Sequence, residues 1–388
     1  DSVGIGVRLI DGRTEESLWS QSYDADARNV VGLYREVTRA IAGEIRLVLS
    51  PIAAARLASA TPVDPAAHEA YLQGRFYSGK LTFSDLETAI DYFNLALEKD
   101  STYAPAYAGL SWAWVAKQQM GYVPPAEATP IAVQTAERAL ALDSLLPEAH
   151  HAFATAKGWA GWDWALAERG LRRAIVLNPS YGDARADYSH LLLVLRRFDE
   201  AAAQGDSALI ADPFNIKYLG FRAVVYFHMQ AYDEGFAALE KVLRAVPNHP
   251  VAKTIMADVY HELGRYDDAM RHVTDAYAVS GIPGLADRLR EDYATGGYRA
   301  AMRAAGDRLA RMAQSTFIPP IMVATFYAYA GDRDSTLAWL EVGLAEREPN
   351  LPYIGATPSP GIWEFIHDDP RFEAILQAMR LPWAVNPH

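Results

Sequence analysis

The sequence predicts a mostly α-helical chain of stacked repeats, preceded by a small α/β element. Three observations predict it. The segments 162–179, 196–213, 230–247 and 264–281 align without a gap at a period of 34 residues. From residue 67 onward, small and apolar residues recur at helical spacing. Residues 1–23, by contrast, alternate apolar and polar positions with the period of a half-buried strand. Fixed-period self-similarity of this length marks helix pairs that bury their apolar faces by stacking on their neighbours.

The first element reads as a hairpin. Val3, Ile5, Val7 and Leu9 alternate with small or polar residues, and Leu18, Trp19 and Tyr23 supply a second strand. The Asp11-Gly12 pair between them is a turn dipeptide that tolerates positive φ. Two strands alone are marginal, and a covering helix follows. Leu33, Val37, Ile41, Ile45 and Val48 recur at three- and four-residue spacing over 30–49, and Pro51 ends the run. The chain opens at Asp1 inside the strand pattern, which we read as the continuation of an upstream part. "SATPVDPAA" at 59–67 reads as a linker.

In the four aligned copies, Trp164, Phe198, Tyr232 and Tyr266 share one position. Ala167, Ala201, Gly235 and Ala269 share another, and Ala174, Ala208, Val242 and Ala276 a third. Pro179, Pro213, Pro247 and Gly281 close the copies. A small residue lets two antiparallel helices approach, an aromatic fills the wedge where the second helix starts, and proline or glycine ends it. Further copies are expected at 70–100 and at 106–143, the latter lengthened by a loop over 118–130. A degenerate copy is expected at 283–313 and a restored one at 324–346, giving seven or eight in all. "GWAGWDWA" (158–165) then reads as packing rather than an aromatic cage. Trp164 takes the aromatic position, Trp162 stands where Gly264 makes a turn, and Trp159 ends a first helix.

This pattern resembles the tetratricopeptide repeat family, most closely in "ADVYHELGRYDDAMRHVTDAY" (257–277). The resemblance implies a right-handed helical solenoid over 61–347, with the end of a small α/β domain at 1–60 and a capping segment at 348–388. "VRLIDGRTEESLWSQSYDADARNVVGLYREVTRAIAGEI" resembles the end of the TolB-amino-terminal-like domain that precedes such repeats in bacterial signalling proteins. Those proteins carry a serine/threonine kinase, a nucleotide cyclase or a winged-helix domain at the amino end. In relatives with a membrane helix, the repeats lie outside the cytoplasm, so an extracytoplasmic location is the expectation the resemblance favours.

Composition narrows the chemistry. The chain has no cysteine, which excludes disulfides, thiolate metal sites and cysteine nucleophiles. Its net charge of −12, without a Lys/Arg run, argues against binding nucleic acid. Apolar runs such as "HLLLVL" (190–195) are too short to span a membrane. "GIG" (4–6) lies on a strand and is no phosphate loop, and "HEL" (261–263) lacks a second histidine one turn on. The pairs Asp267/Asp268 and Asp368/Asp369 stand at turns or helix starts, where aspartate caps. No catalytic residue, metal site or cofactor is expected.

The expected site is a surface. In the repeat frame, groove-facing positions fall on Trp112, His151, Asp187, His190, Val194, Phe221, Val224, His228, Asp258, His261 and Glu262. The three histidines 190, 228 and 261 are open to three readings: a solvated wall, a partner-contacting surface whose affinity follows histidine titration near neutrality, or a metal site. The Lys, Arg and Asn residues of the family's carboxylate clamp are replaced here by Ala, His, Gly, Thr and Asp, which argues against a carboxylate-tail ligand. The expected function is a protein- or peptide-binding scaffold, the sensor region of a larger signalling protein. An oligomerisation scaffold is the alternative, with the tail "RLPWAVNPH" as a contact or a cap.

Overall fold

The computed structural model describes residues 2–10, 15–26, 30–44, 63–279, 282–356 and 361–385. Strands β1 (Ser2–Ile10) and β2 (Ser17–Asp26) pair antiparallel, with Leu9 opposite Trp19 and an irregularity between Leu9 and Ile10. Helix α1 (Val30–Glu44) covers one face of this ribbon. Leu33 and Val37 bury Tyr23, and Ile5, Val7 and Trp19 pack around them. Leu18 is in β2 but points away and is exposed, because neighbours on a strand face opposite sides. The predicted Asp11-Gly12 turn, the helix end near Leu49 and Pro51, and residues 59–62 of the expected linker lie outside the described residues, while Pro65, Ala66 and Ala67, read as linker, already start a helix capped by Asp64.

The array is built from α2 (Pro65–Ser78), α3 (Phe83–Lys99), α4 (Ala104–Gln119), α5 (Pro125–Leu142) and α6 (Pro147–Phe153). A π-helical turn, Ala154–Trp159, extends α6. Then come α7 (Trp164–Leu177), α8 (Gly182–Val194), α9 (Phe198–Ala211), α10 (Ile216–His228) and α11 (Tyr232–Ala245). The rest are α12 (Pro250–Glu262), α13 (Tyr266–Ala278), α14 (Leu285–Met312), α15 (Pro320–Ala330) and α16 (Arg333–Ala345). Successive helices pair as hairpins, so the fold is a mostly helical tetratricopeptide-type solenoid with a small two-stranded element before it.

The period is written into the backbone. Trp162, Arg196, Gln230 and Gly264, spaced by 34 residues, have φ of 52°, 57°, 60° and 67°. Each ends a first helix in the same paired-bond cap. The Gly264 amide donates to the His261 carbonyl and the Arg265 amide to that of Tyr260, and the bonds at Trp162/Asp163, Arg196/Arg197 and Gln230/Ala231 match. A left-handed residue here satisfies two end carbonyls and reverses the chain. The shared small positions do the packing: Ala167, Ala201 and Ala269 are buried, and a Cβ on Gly235 would come within 2.4 Å of the Phe227 ring.

One expectation needs correction. The loop over 118–130 is shorter than expected, because α4 runs to Gln119 and α5 starts at Pro125. Proline fits a first helical turn, and Pro130 is carried inside α5. The degenerate copy expected at 283–313 is present as the two arms of α14, which fold back on each other at Gly297 (φ 74°, ψ −175°). Arg308 Nη2 donates to Asp292 Oδ2 at 2.7 Å, a contact across 16 residues that a straight helix would hold about 24 Å apart.

The carboxyl-terminal segment reaches beyond the last helix pair. It comprises 3₁₀ turns at Leu351–Gly355 and Glu364–Ile366, then α17 (Pro370–Ala378) and α18 (Pro382–Val385). Arg371 forks onto Glu341 of α16, with both bonds at 2.8 Å. The segment then returns to the inner side of α6–α8. Trp159 Nε1 donates to the Pro349 carbonyl at 2.7 Å, Trp164 Nε1 to that of Met379 at 2.9 Å, and Trp383 Nε1 to that of Val194 at 2.9 Å. The three tryptophans of "GWAGWDWA" are all buried. Trp159 meets Trp164 edge-on at 5.6 Å, and the Arg347 guanidinium covers Trp162 at 4.3 Å.

Candidate functional site

The inner helices leave a cleft of about 430 Å³ on the amino-terminal side of this returned segment. Helical spacing decides which side chains enter it. Tyr71, Arg75 and Ser78 lie on one face of α2, and Ala108, Gly109 and Trp112 on one face of α4. Glu148, His151 and Ala152 project from α6, Asp183 from the start of α8, and Lys217 from the start of α10. Small residues make the room: a Cβ on Gly109 would meet the Phe93 ring at 2.5 Å.

The floor is a charged network. Lys217 Nζ lies 3.5 Å from Asp183 and 3.2 Å from Asp187, and Arg75 Nη2 lies 3.5 Å from Asp183. His151 is buried, with Nε2 2.6 Å from Asp187 Oδ2 and Nδ1 3.0 Å from the Tyr181 hydroxyl. The carboxylate only accepts, so Nε2 donates to it. Burial pushes the Asp187 and Asp183 carboxyls upward, but the positive charges, Lys217 foremost, hold both below the usual carboxylate range. Lys217 is raised in turn: burial lowers it, and Asp187 and Asp183 outweigh that.

The eleven expected groove residues do not form one surface. Trp112 and His151 line the cleft, and Asp187 lies in the network under it. His190 and Val194 are corrected as open groove positions, because the returned segment covers them. Val194 is fully buried beneath Trp383, and His190 stacks on Phe221 at 3.6 Å while its Nδ1 bonds the Tyr353 hydroxyl at 2.7 Å. Val224 packs against the main core, and His228 Nδ1 faces the Val224 carbonyl of its own helix at 2.8 Å. Further along, Tyr329 donates to Asp258, His261 Nδ1 lies 3.1 Å from the Tyr298 hydroxyl, and Glu262 is exposed.

Each of the three histidines thus has its own partner, and no group of three or more metal-ligating side chains forms among the described residues. Titration near neutrality is corrected too. Burial pushes His190 and His261 down to about 4 and lowers His228. Sequence reasoning missed Arg75, Glu148, Tyr181, Asp183 and Lys217. One signal was available: Asp183 and Lys217 are 34 residues apart, an acid and a base at the same position of successive copies.

Residues 226–276 match the family model described as "Tetratricopeptide repeat". A protein of Rhizobium meliloti (strain 1021) named "Putative adenylate cyclase 3" is 29% identical over 161 residues, 40% of this chain and 27% of that protein. "Sperm-associated antigen 1" of Rattus norvegicus is 36% identical over 75 residues, 19% of this chain and 8% of that protein. The chain thus spans about a quarter of the length of the first relative and under a tenth of the second. Among solved structures, YrrB, "a TPR protein with an unusual peptide-binding site", is 23% identical, with 52% of this chain and 96% of that one covered and a TM-score of 0.30. A tetratricopeptide repeat protein of Parabacteroides merdae is 12% identical, with 81% and 99% covered and a TM-score of 0.39. No helix among the described residues is long and apolar enough to cross a membrane. Residues 226–276 carry a tetratricopeptide repeat, and the array around them is a helical solenoid of that type.

Proposed function

We propose that this chain is a peptide-binding scaffold, that its open site is the cleft between α2, α4, α6, α8 and α10, and that it serves as the regulatory region of a bacterial signalling protein. The observation that carries the binding reading is the cleft: about 430 Å³, within the range of ligand sites, with aromatic walls and a few convergent polar groups. The partial likeness to a protein named as an adenylate cyclase supports the signalling context. Lys217, Asp183 and Asp187 under the cleft are engaged in ion pairs, which favours a binding role over a catalytic one for them.

The test is binding of fixed-position peptide libraries to the whole chain and to Gly79→Trp. Gly79 lines the cleft with an ordinary φ of −70°, and a Cβ there meets nothing nearer than 3.7 Å. The backbone therefore accepts a side chain there, and the indole is expected to obstruct the cleft while the melting temperature stays close to native. Saturable binding that Gly79→Trp abolishes supports the proposal, and no binding, or binding indifferent to the variant, refutes it. A second reading, self-association, is favoured by Ile210 and Phe214, which are 83% and 86% exposed. Sedimentation over a concentration series tests it, and a monomer throughout rejects it.

A further inference from the structure

The charges of the cleft pair off, with one exception. Arg75 faces Asp183, and Lys217 faces both Asp183 and Asp187. Glu148 is left over. Its Oε2 is buried and has no hydrogen-bond partner among the described residues. The phenols that feel its charge are Tyr71, Tyr103 and Tyr181, which are raised mainly by burial and further by Glu148. Their hydroxyls are engaged elsewhere, with Arg75, His68 and His151 respectively. A buried polar atom left unpaired calls for an explanation, and a bound group of opposite charge is one.

The setting selects the sign of that group. An anion drawn to Arg75 or Lys217 would meet Asp183, Asp187 and Glu148 beside them. A cation meets an unpaired carboxylate and aromatic walls from Tyr71, Tyr181 and Trp112. The cleft already holds one cation this way, since Lys217 Nζ lies 5.4 Å from the Trp112 ring centre. The net charge of −12 favours the approach of a basic partner.

We infer that the cleft takes a basic side chain, the guanidinium of arginine or the ammonium of lysine, from an extended partner peptide, and that Glu148 is its counter-ion. The inference rests on the peptide-binding reading above. Glu148 also sits in the first turn of α6, where a carboxylate favours the helix end. That role affects stability, not ligand choice, so selectivity separates the two.

The experiment measures the affinity of peptide libraries whose fixed position is arginine, lysine, norleucine or glutamate, for the native chain and for Glu148→Gln. Agmatine serves as a free guanidinium probe. The native chain is expected to prefer arginine and lysine over norleucine by roughly 10- to 100-fold, the range of a charge-assisted bond. Glu148→Gln is expected to remove that preference while its melting temperature stays close to native. Peptide binding without a basic preference, or with one that survives Glu148→Gln, overturns the inference and leaves the peptide reading standing. Binding of agmatine alone, lost in Glu148→Gln, keeps the cation site and overturns the peptide reading. No binding of any probe overturns both.

Discussion

Trp383→Ala tests how the carboxyl-terminal segment is held against the inner helices. Three contacts disappear together. The indole N–H bond to the Val194 carbonyl, 2.9 Å long, contributes about 1 kcal/mol. The Arg196 guanidinium, 3.7 Å from the ring centre, adds about 0.5–2 kcal/mol. The ring also packs on Gly355, where an added Cβ would lie 2.6 Å from it, and losing this partly buried surface costs about 2 kcal/mol. Together these amount to roughly 3.5–5 kcal/mol, a shift of about 300- to 4000-fold in the opening equilibrium. Hydrogen exchange read by mass spectrometry is the assay. Protection over 349–356 and 381–385 is expected to fall by that factor while α2–α5 keep theirs. If protection of the segment falls less than about threefold, or α2–α5 lose as much, the returned segment is not pinned as described.

Three further predictions follow from the same contacts. Burial pushes Asp258 up to about 7, so the folded chain binds more protons than the unfolded one between pH about 4 and 7, and its stability falls as pH rises through that window. Asp258→Asn is expected to gain up to about 4 kcal/mol on the native chain between those limits in urea titrations, and a pH-independent difference contradicts this. His190 has the opposite sign: its folded value of about 4 lies below the unfolded one, so its neutral form supports the fold above pH about 6.5, and that support is lost as pH falls towards 4. The protection factors of 349–356, taken relative to the intrinsic exchange rate at each pH, should fall over that acid range in the native chain and less so in His190→Phe. Gly264→Ala, at φ 67° with open space around the missing Cβ, is expected to cost about 1–2 kcal/mol in denaturant unfolding from backbone strain alone, and no loss refutes the strained-turn reading.

What the sequence made legible follows from the range of the contacts. The copies between 162 and 281 could be aligned because each repeats the same local problem: close an antiparallel pair over a small residue and end it in a left-handed turn. Trp162, Arg196 and Gln230 hide that turn from a search for glycine, and the 34-residue spacing reveals it. The period slips by one residue at Gly297, which explains why α14 reads as degenerate. The returned segment was not legible. Its bonds join residues 189 to 215 positions apart, and no local pattern encodes such a pairing. For the same reason His190 and Val194 look like open groove positions in the repeat frame and are covered in the fold. The cleft was half legible: Trp112 and His151 fall out of the frame, whereas Arg75 and Glu148 matter because helices from different copies converge on them.

The central claim is that the inner face is divided, with the carboxyl-terminal segment filling its middle and the cleft left open for a partner. The most direct measurement is hydrogen exchange of the whole chain with and without the tightest-binding library peptide. Added protection is expected in α2, α4 and α6 and at the starts of α8 and α10, with 349–356 unchanged. Added protection centred on α12 and α15, or exchange showing that the peptide displaces 349–356, contradicts it.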